Sequence, residues 1–392
     1  MVKNNPLVKI LNVIFILMLF LPIGEGEASP CKRVNLLYKK WGMFKRQMPL
    51  YDQGENGICY AYAASQMTDY WREVNGLQLK GMKMGQSTPV FAAILARLYK
   101  SIDKRETLDA GDPKTALLAI KDFGMCDERT VQRSIDNFAN KKGLSPEKFL
   151  DGIERFFSLH RKDNKGGLMT SFFTPFEKLR KKYFWTDVDF SRVEKVMRPY
   201  LEKNDFAGLM VKIFRKCFKK ENIYLNSLRL PDLEEKFLRD GLERGYISKI
   251  NGLLLRAKAT PIGISYCANL LQNKKYDGRS NNRMRSDCHG HASILVGQRE
   301  RGGRCEFLLR NTWGSECMYD WECQKDSLKN GKTVGVWIDS KKLMENTHSF
   351  IYFKDDEVIK NVHKKKKARG KKRSEGSKIK SYFKEKFRSF LN

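Results

Sequence analysis

The sequence predicts an α+β fold in which a helical part comes first along the chain and a sheet part follows. Up to about residue 256, apolar and charged residues recur at helical spacing. After Thr260 the pattern changes to short apolar runs of strand type, which glycine-rich or charged turns such as RERGGR separate. Because ligand sites favour such boundaries, we expect a cleft where the helices and strands meet.

Three helices are predicted in the first third of the chain. They cover residues 58–73, 90–99 and 113–123, where apolar residues lie three or four positions apart. The first helix is aromatic on its buried side. In the third helix, Pro113 suits the first turn and Gly124 suits a C-terminal stop.

A long section from about residue 131 to 256 is predicted to be mostly helical, with solvated helix faces around a local core. Its helix markers are the segments SPEKFLDGIERFFSLHR, with Ser145 as N-cap, DFSRVEKVMRPYLEK and LPDLEEKFLRDGLERG. The strands predicted after it are PIGISYCA, HASILVGQR, CEFLLRN and VGVWID.

The first residues of the chain are typical of a cleaved secretory signal. Lys3 and Lys9 precede an apolar run over residues 10–21, and small residues follow up to a cleavage point after Ala28. The apolar run is shorter than the ~20 residues that a transmembrane helix needs, and an uncleaved anchor is the alternative. Residues 1–28 are therefore predicted to be a signal peptide, and the mature protein to be secreted or periplasmic.

Residues 362–392 form a basic tail, which holds 13 Lys or Arg against 2 Glu in a chain of net charge +30. Such a segment cannot build a core, so we expect it to be disordered or to end in a basic amphipathic helix. The partner predicted for it is an anionic surface, either a membrane or an acidic polymer. The alternative is a solubilising tail whose helix docks on its own domain. No motif supports specific binding of nucleic acid.

Nine cysteines in an exported chain indicate an oxidising compartment. They are Cys31, Cys59, Cys126, Cys217, Cys267, Cys288, Cys305, Cys317 and Cys323. Because nine is odd, one thiol is expected to stay reduced while eight form four disulfides, with about 105 connectivities left open. An incidental free thiol is the alternative to a functional one. Zinc is disfavoured, because groupings such as Cys288 with His289 and His291 lack paired CxxC spacing.

Cys59 is the cysteine best placed for a nucleophile. It lies in the first turn of a predicted helix, where unpaired N–H groups and the helix dipole lower the pKa of a thiol. Its backbone N–H can face the oxyanion that develops on a carbonyl, and Gln53 can fold back across Gly54 and Gly57 as a second donor. The alternatives for Cys59 are an inert buried cysteine and a disulfide partner.

Three segments resemble those of papain-like cysteine peptidases, in the order of that family. QGENGICYAYA resembles the active-site segment, HASILVG the strand with the catalytic histidine, and FLLRNTWG the strand with the orienting asparagine. The resemblance implies that Cys59 is the nucleophile, His291 the base, Asn311 the residue that orients the base and Gln53 the oxyanion donor. It also implies that Trp313 covers the pair from water. A thiolate–imidazolium pair held by an asparagine oxygen agrees with these roles.

Each of these roles has a rival. His289 lies two residues from His291, on the same strand face, and is the alternative base. The apolar alternation that follows and the family pattern both favour His291. The rival role for Asn311 is that of a turn residue, and the rival role for Trp313 is that of a core residue.

The resemblance also implies a papain-like two-lobed fold within a peptidase domain over residues 29–361. A helical left lobe, about 35–130, would carry the nucleophile helix, and a β-barrel-like right lobe would cover about 250–361. A mostly helical insertion, about 131–230, lies between them in the sequence. It either caps the cleft or elaborates one side of the fold.

The segment AGDPKTALLAIKDFG falls on the family's substrate-lining segment. The implied substrate-binding residues are Gly111, Asp112 and Pro113, together with Trp313. Ala110 stands where the family has a glycine that pairs with the substrate backbone, so the pairing is expected to differ here.

Two further departures from the family lie beside the site. Asn56 replaces a cysteine, so the family's bridge next to the active site is missing. After NTWG, the family often repeats a Trp-Gly pair, whereas here a small disulfide loop between Cys317 and Cys323 is expected to take its place.

The sequence thus predicts an exported thiol peptidase that hydrolyses a peptide or protein substrate. We expect it to act as a monomer and to use no cofactor or metal. One alternative is a catalytically silent papain-like scaffold that acts in binding or adhesion. A second is a cysteine acyltransferase of transpeptidase or transglutaminase type, because the same residues can transfer an acyl group to an amine.

Overall fold

The computed structural model describes residues 31–38, 49–54, 56–75, 87–99, 108–163, 188–218, 230–326 and 330–354. The predicted signal peptide and the basic tail lie outside these residues. Within them the chain forms ten α-helices and a mostly antiparallel sheet, which confirms the predicted α+β class. None of the described helices combines the length and the apolar character needed to cross a membrane.

The three predicted helices of the helical part are present, and each ends within one residue of its predicted bounds. They are α1 (Cys59–Val74), α2 (Pro89–Tyr99) and α3 (Pro113–Phe123). At the start of α3, the Asp112 side chain accepts hydrogen bonds from the amides of Lys114 and Thr115. Gly124 ends the same helix with a positive φ of 84°, which glycine adopts without steric cost.

Four further helices lie within or close to the predicted insertion. They are α4 (Glu128–Ala139), α5 (Pro146–Asp163), α6 (Phe190–Glu202) and α7 (Phe206–Ile213), and a 3₁₀ turn, Arg215–Phe218, follows them. Helix α2 packs against α5 and α7, and a disulfide joins Cys126, just before α4, to Cys217 in the 3₁₀ turn. These elements therefore extend the helical part, while the idea that the insertion caps the cleft stays a prediction.

The sheet part has one large sheet of eight strands among the described residues. The strands are β1 (Val34–Asn35), β2 (Leu233–Phe237), β3 (Ile262–Cys267), β6 (Gly290–Arg301), β7 (Arg304–Arg310), β8 (Glu322–Asp326), β9 (Lys332–Asp339) and β10 (Thr347–Phe353). Their order is β2-β10-β3-β6-β7-β9-β8, β1 also pairs with β6, and every pair is antiparallel. A small hairpin pairs β4 (Arg279–Ser280) with β5 (Arg283–Met284). Helices α8 (Glu243–Leu254), α9 (Asn269–Gln272) and α10 (Ser340–Glu345) complete this part.

The helical prediction for LPDLEEKFLRDGLERG was wrong. Its first half is β2, which pairs antiparallel with β10, and α8 begins only at Glu243. Gly241, with φ of 80°, separates the two elements. The residues of β2 favour a helix by propensity, but the free edge of β10 offers a complete set of backbone partners. Such tertiary pairing outweighs weak local propensity.

Helix α1 lies at the boundary between the two parts. It packs against β3 and β6, and nearly all of its residues are buried. The buried guanidinium of Arg310, at the end of β7, donates from Nε to Gln66 Oε1 of α1 over 2.8 Å and from Nη2 to the Pro49 carbonyl over 2.7 Å. The middle of α1 is thereby fixed against the end of β7.

All nine cysteines lie in the described residues, and eight of them pair. The disulfides are Cys31–Cys305, Cys126–Cys217, Cys267–Cys288 and Cys317–Cys323. Cys59 is the free cysteine. The prediction of four disulfides and one reduced thiol is confirmed, as is the small loop between Cys317 and Cys323.

Candidate active site

Cys59 is the first residue of α1, where the helix meets β6. Its sulfur lies near three backbone N–H groups, those of Ala292, Tyr60 and Cys59 itself. Ala292 directly follows His291 on β6. The fold thus brings the reduced thiol to the strand position that carries the predicted base.

Burial dominates the electrostatics of the Cys59 thiol. Some of the residue is open to solvent, but desolvation raises the thiol pKa and outweighs the lowering by the three N–H groups. The nearby carboxylate of Asp109 raises the pKa further. The expected lowering at a helix N-terminus is therefore present but is not the largest effect, so the net direction that we predicted was wrong.

His291 is the second residue of β6 and is buried. Its Nε2 lies 2.6 Å from Asn311 Oδ1, and since an amide oxygen can only accept, Nε2 carries the proton. The other ring nitrogen, Nδ1, is then the basic one. Burial lowers the pKa of His291 to about 4, and the Asn311 hydrogen bond opposes this shift.

Asn311 follows β7 directly and is held by several hydrogen bonds. Its Oδ1 accepts from Ser293 Oγ over 3.2 Å and from the Thr312 amide over 2.8 Å. Its Nδ2 donates to the Tyr319 hydroxyl over 3.1 Å. The amide plane is thus fixed before any substrate arrives. Ser293 and Tyr319 were missed by the sequence analysis, because their roles depend on contacts and not on a motif.

Gln53 is buried beside the same strand end. Its backbone N–H donates to the Thr312 carbonyl over 2.9 Å, and its side-chain Oε1 accepts from Thr312 Oγ1 over 2.5 Å. Its Nε2 donates one proton to the Asn56 carbonyl over 2.9 Å. A side-chain amide has two N–H protons, so one is left for a further acceptor. Thr312 thus links Gln53, the predicted oxyanion donor, to Asn311, the predicted orienting residue. This role of Thr312 could not be predicted from the sequence.

Aromatic side chains cover the His291–Asn311 pair. The ring of Trp313 lies 4.7 Å from the His291 ring, between centroids, and stacks on Tyr319 at 6.4 Å. Tyr319 belongs to the loop that the Cys317–Cys323 disulfide closes, and Trp321 of the same loop donates from Nε1 to the Leu270 carbonyl over 2.8 Å. The Trp313 ring thus lies between the rings of His291 and Tyr319 in the chain of aromatic contacts, and its role in covering the pair from water stays a prediction.

The segment of the predicted substrate-binding residues runs beside the Cys59 loop. The Ala110 amide donates to the Gly57 carbonyl over 3.2 Å, and Ala110 has a left-handed φ of 58°. Gly111 is exposed and packs so closely on the Tyr60 ring that a Cβ would clash. Asp112 caps α3, and Pro113 is buried in its first turn. Of these three residues, Gly111 is exposed, Asp112 is half-buried and Pro113 is buried.

Helix α5 contacts both the loop before Cys59 and the segment that begins at Leu108. Asn56 Nδ2 donates to the Glu147 carbonyl and to the Gln53 carbonyl, over 3.1 Å in each case. Further along α5, Glu154 Oε1 accepts from the Leu108 amide over 2.5 Å. Burial, together with the charge of Asp109, raises the pKa of Glu154 to about 8. Polar contacts to α5 thus connect the Asn56 loop with the segment that begins at Leu108.

His289 lies just before β6 and is exposed. Its backbone N–H donates to Asn269 Oδ1 over 2.8 Å, which ties it to α9 and not to the Asn311 cluster. Cys288 is joined to Cys267 in a disulfide and so is not available as a thiolate ligand.

Comparisons with known proteins identify no family. No protein-family model matches the chain, and no curated protein matches it. A solved structure from work on the limited antibody cross-reactivity between the mite allergens Blo t 1 and Der p 1 is similar at 11% identity and a TM-score of 0.38. The match covers 85% of this chain and 74% of that one. We draw neither fold nor function from a likeness of this size.

Proposed function

We propose that this protein is a papain-like cysteine peptidase that hydrolyses peptide bonds. One observation carries the proposal: the single reduced thiol, Cys59, meets the backbone N–H of Ala292, and the adjacent His291 is held by Asn311 through its far ring nitrogen. A nucleophile, a base and an orienting group in this order are the parts that acyl transfer through a thiol requires.

In the proposed mechanism, His291 Nδ1 takes the proton of Cys59 and the thiolate attacks the peptide carbonyl carbon. The oxyanion is stabilised by the Cys59 amide and by the remaining N–H of Gln53. His291 then gives its proton to the leaving amine, the C–N bond breaks and a thioester remains. A water molecule, deprotonated by the same imidazole, hydrolyses the thioester and restores the thiol.

The pKa shifts of Cys59 and His291 agree with the transfer of a proton from the thiol to the imidazole. Burial penalises a lone thiolate and a lone imidazolium, because each carries a net charge out of water. A thiolate–imidazolium pair has no net charge, so the transfer of one proton between the partners costs less than ionising either alone. Cys59 therefore depends on His291 for its ionisation.

The proposal includes export to a secreted or periplasmic location. Four disulfides among the described residues support an oxidising compartment. The predicted signal over residues 1–28 would direct the chain there.

The test is digestion of a peptide library by the wild type and by the Cys59→Ala, His291→Ala and His289→Ala variants. We expect the first two variants to lose activity by on the order of 10³-fold or more, and the third to resemble the wild type. Activity that survives Cys59→Ala would reject a thiol mechanism. If His289→Ala is inactive while His291→Ala is active, the base is His289 and not His291.

Mass analysis of the products separates the rival functions. Products that have gained water indicate hydrolysis, whereas products joined to an added amine indicate an acyltransferase. A wild type that cleaves no peptide and modifies none would be the silent scaffold that acts in binding or adhesion.

A further inference from the structure

An exposed carboxylate, that of Asp109, stands at the edge of the Cys59 loop. Its Oδ1 accepts from the Gly57 amide over 2.8 Å. Gly57 is two residues before Cys59, and consecutive Cα atoms lie about 3.8 Å apart, so these two Cα atoms are at most ~7.6 Å apart. The Asp109 carboxylate is therefore held beside the loop that ends at Cys59.

The position of Asp109 is fixed by its neighbours. Its carbonyl accepts from Arg97 Nη2 over 2.9 Å, and the next residue, Ala110, donates its amide to the Gly57 carbonyl. The preceding residue is held as well, since Tyr60 donates its hydroxyl to the Leu108 carbonyl over 2.7 Å. Because the backbone is held on both sides of Asp109, the position of its carboxylate is fixed.

A negative charge at this place works against the proposed nucleophile. Asp109 raises the pKa of the Cys59 thiol and that of the buried Glu154 carboxyl. Among the described residues, the carboxylate has no Lys or Arg in a salt bridge, and Gly57 is the donor to its Oδ1. Its second oxygen is left to accept from a ligand. A bound cation would cancel the charge that opposes thiolate formation and would satisfy that oxygen.

We propose that Asp109 is a specificity-determining residue that binds a positively charged side chain, lysine or arginine, of the peptide substrate. The charged residue lies within about two or three positions of the scissile bond, because an extended peptide advances about 3.3 Å per residue. This inference rests on the proposed function and names the substrate class of the same site.

The first test compares kcat/KM for matched peptides that differ at one position, with lysine, norleucine or glutamate, scanned along three positions on each side of the cleavage point. At one position, the wild type should prefer lysine over norleucine by tenfold or more, and this ratio should fall as salt is added. Asp109→Asn keeps the oxygen that accepts from Gly57 but removes the charge, so the ratio should fall to about one. Asp109→Lys should favour glutamate.

The matched control is Asp277→Asn, since Asp277 is also exposed but lies on the sheet part near Lys342. It should keep the lysine preference of the wild type. An equal preference in Asp109→Asn and the wild type, or no preference in the wild type at any position, would overturn the inference while leaving the peptidase proposal intact.

A second measurement tests the inference if the protein cleaves none of these peptides. The same peptides are bound to the Cys59→Ala variant, with and without Asp109→Asn, and their dissociation constants are measured by calorimetry. Tenfold tighter binding of the lysine peptide that requires Asp109 would support recognition of cations even if the peptidase proposal fails. Equal binding of all three peptides to both variants would reject it.

Discussion

Thr312→Val is the substitution that tests most directly how Gln53, the proposed oxyanion donor, is held. Thr312 and Gln53 are 1% and 5% exposed, so water cannot replace a bond lost between them. Valine has nearly the shape of threonine but no hydroxyl, so it removes the 2.5 Å hydrogen bond from Thr312 Oγ1 to Gln53 Oε1 and little else. The backbone bond from the Gln53 amide to the Thr312 carbonyl remains.

The size of the effect follows from the buried oxygen that is left without its donor. An unsatisfied buried polar group costs about 1–3 kcal/mol. If Gln53 turns its amide to recover a partner, the N–H directed at the oxyanion is lost and the cost appears in the transition state. We therefore expect kcat/KM to fall by roughly 5- to 150-fold, mainly through kcat.

A double-mutant cycle with Gln53→Ala decides whether Thr312 acts through Gln53. If it does, Thr312→Val should change kcat/KM little once Gln53 is already alanine, so the two effects will not add. Thr312→Ser is the matched control, because it keeps the hydroxyl and should retain most of the activity. Additive effects, or a Thr312→Ser variant as weak as Thr312→Val at equal stability in urea, would refute the reasoning.

Three other expectations follow from the site. In His291→Ala the Cys59 thiol has lost the proposed base, and burial remains the largest effect on its pKa. The pH midpoint of its alkylation by iodoacetamide should therefore exceed the ordinary value of 9.0, and a midpoint at or below 9.0 would contradict this. Tyr319→Phe leaves Asn311 Nδ2 without its acceptor and should lower kcat/KM by about 5- to 10-fold with an unchanged KM, whereas an unaltered kcat would show that Tyr319 does not help to orient the base. The pKa of Glu154 is about 8 in the folded protein, against 4.5 for a free glutamate, so between these pH values the folded state binds one more proton than the unfolded state. The free energy of unfolding should therefore fall as pH rises from 4.5 to 8, by up to about 5 kcal/mol. Urea unfolding of Glu154→Gln should lack this decline, and a parallel decline in the variant would assign it to other groups.

The elements that could be predicted from the sequence are those whose cause is local. Helix α3 has its N-cap, its first-turn proline and its terminal glycine within one short segment, and its bounds were predicted correctly. Strand β2 was not, because its conformation is decided by β10, more than a hundred residues later in the chain. Its own residues favour a helix, and nothing near them reveals the partner strand.

The same distinction applies to the candidate site. Cys59, His291 and Asn311 lie in short segments whose spacing resembles a known pattern, so their candidacy was visible in the sequence. Thr312 and Tyr319 gain their roles from hydrogen bonds made after the two parts come together. The pKa direction of the thiol was mistaken for the same reason, since burial against β6 is a property of the assembled fold and not of the helix start.

The Cys31–Cys305 disulfide joins positions 274 residues apart and closes most of the chain into a covalent ring. One cut anywhere inside that ring opens it without releasing a piece. A molecule nicked once by a protease would therefore migrate as intact protein on a non-reducing gel and would separate into fragments only when a reductant is added. Cleavage of the backbone inside the ring would therefore release no fragment for as long as the surroundings of the protein remain oxidising.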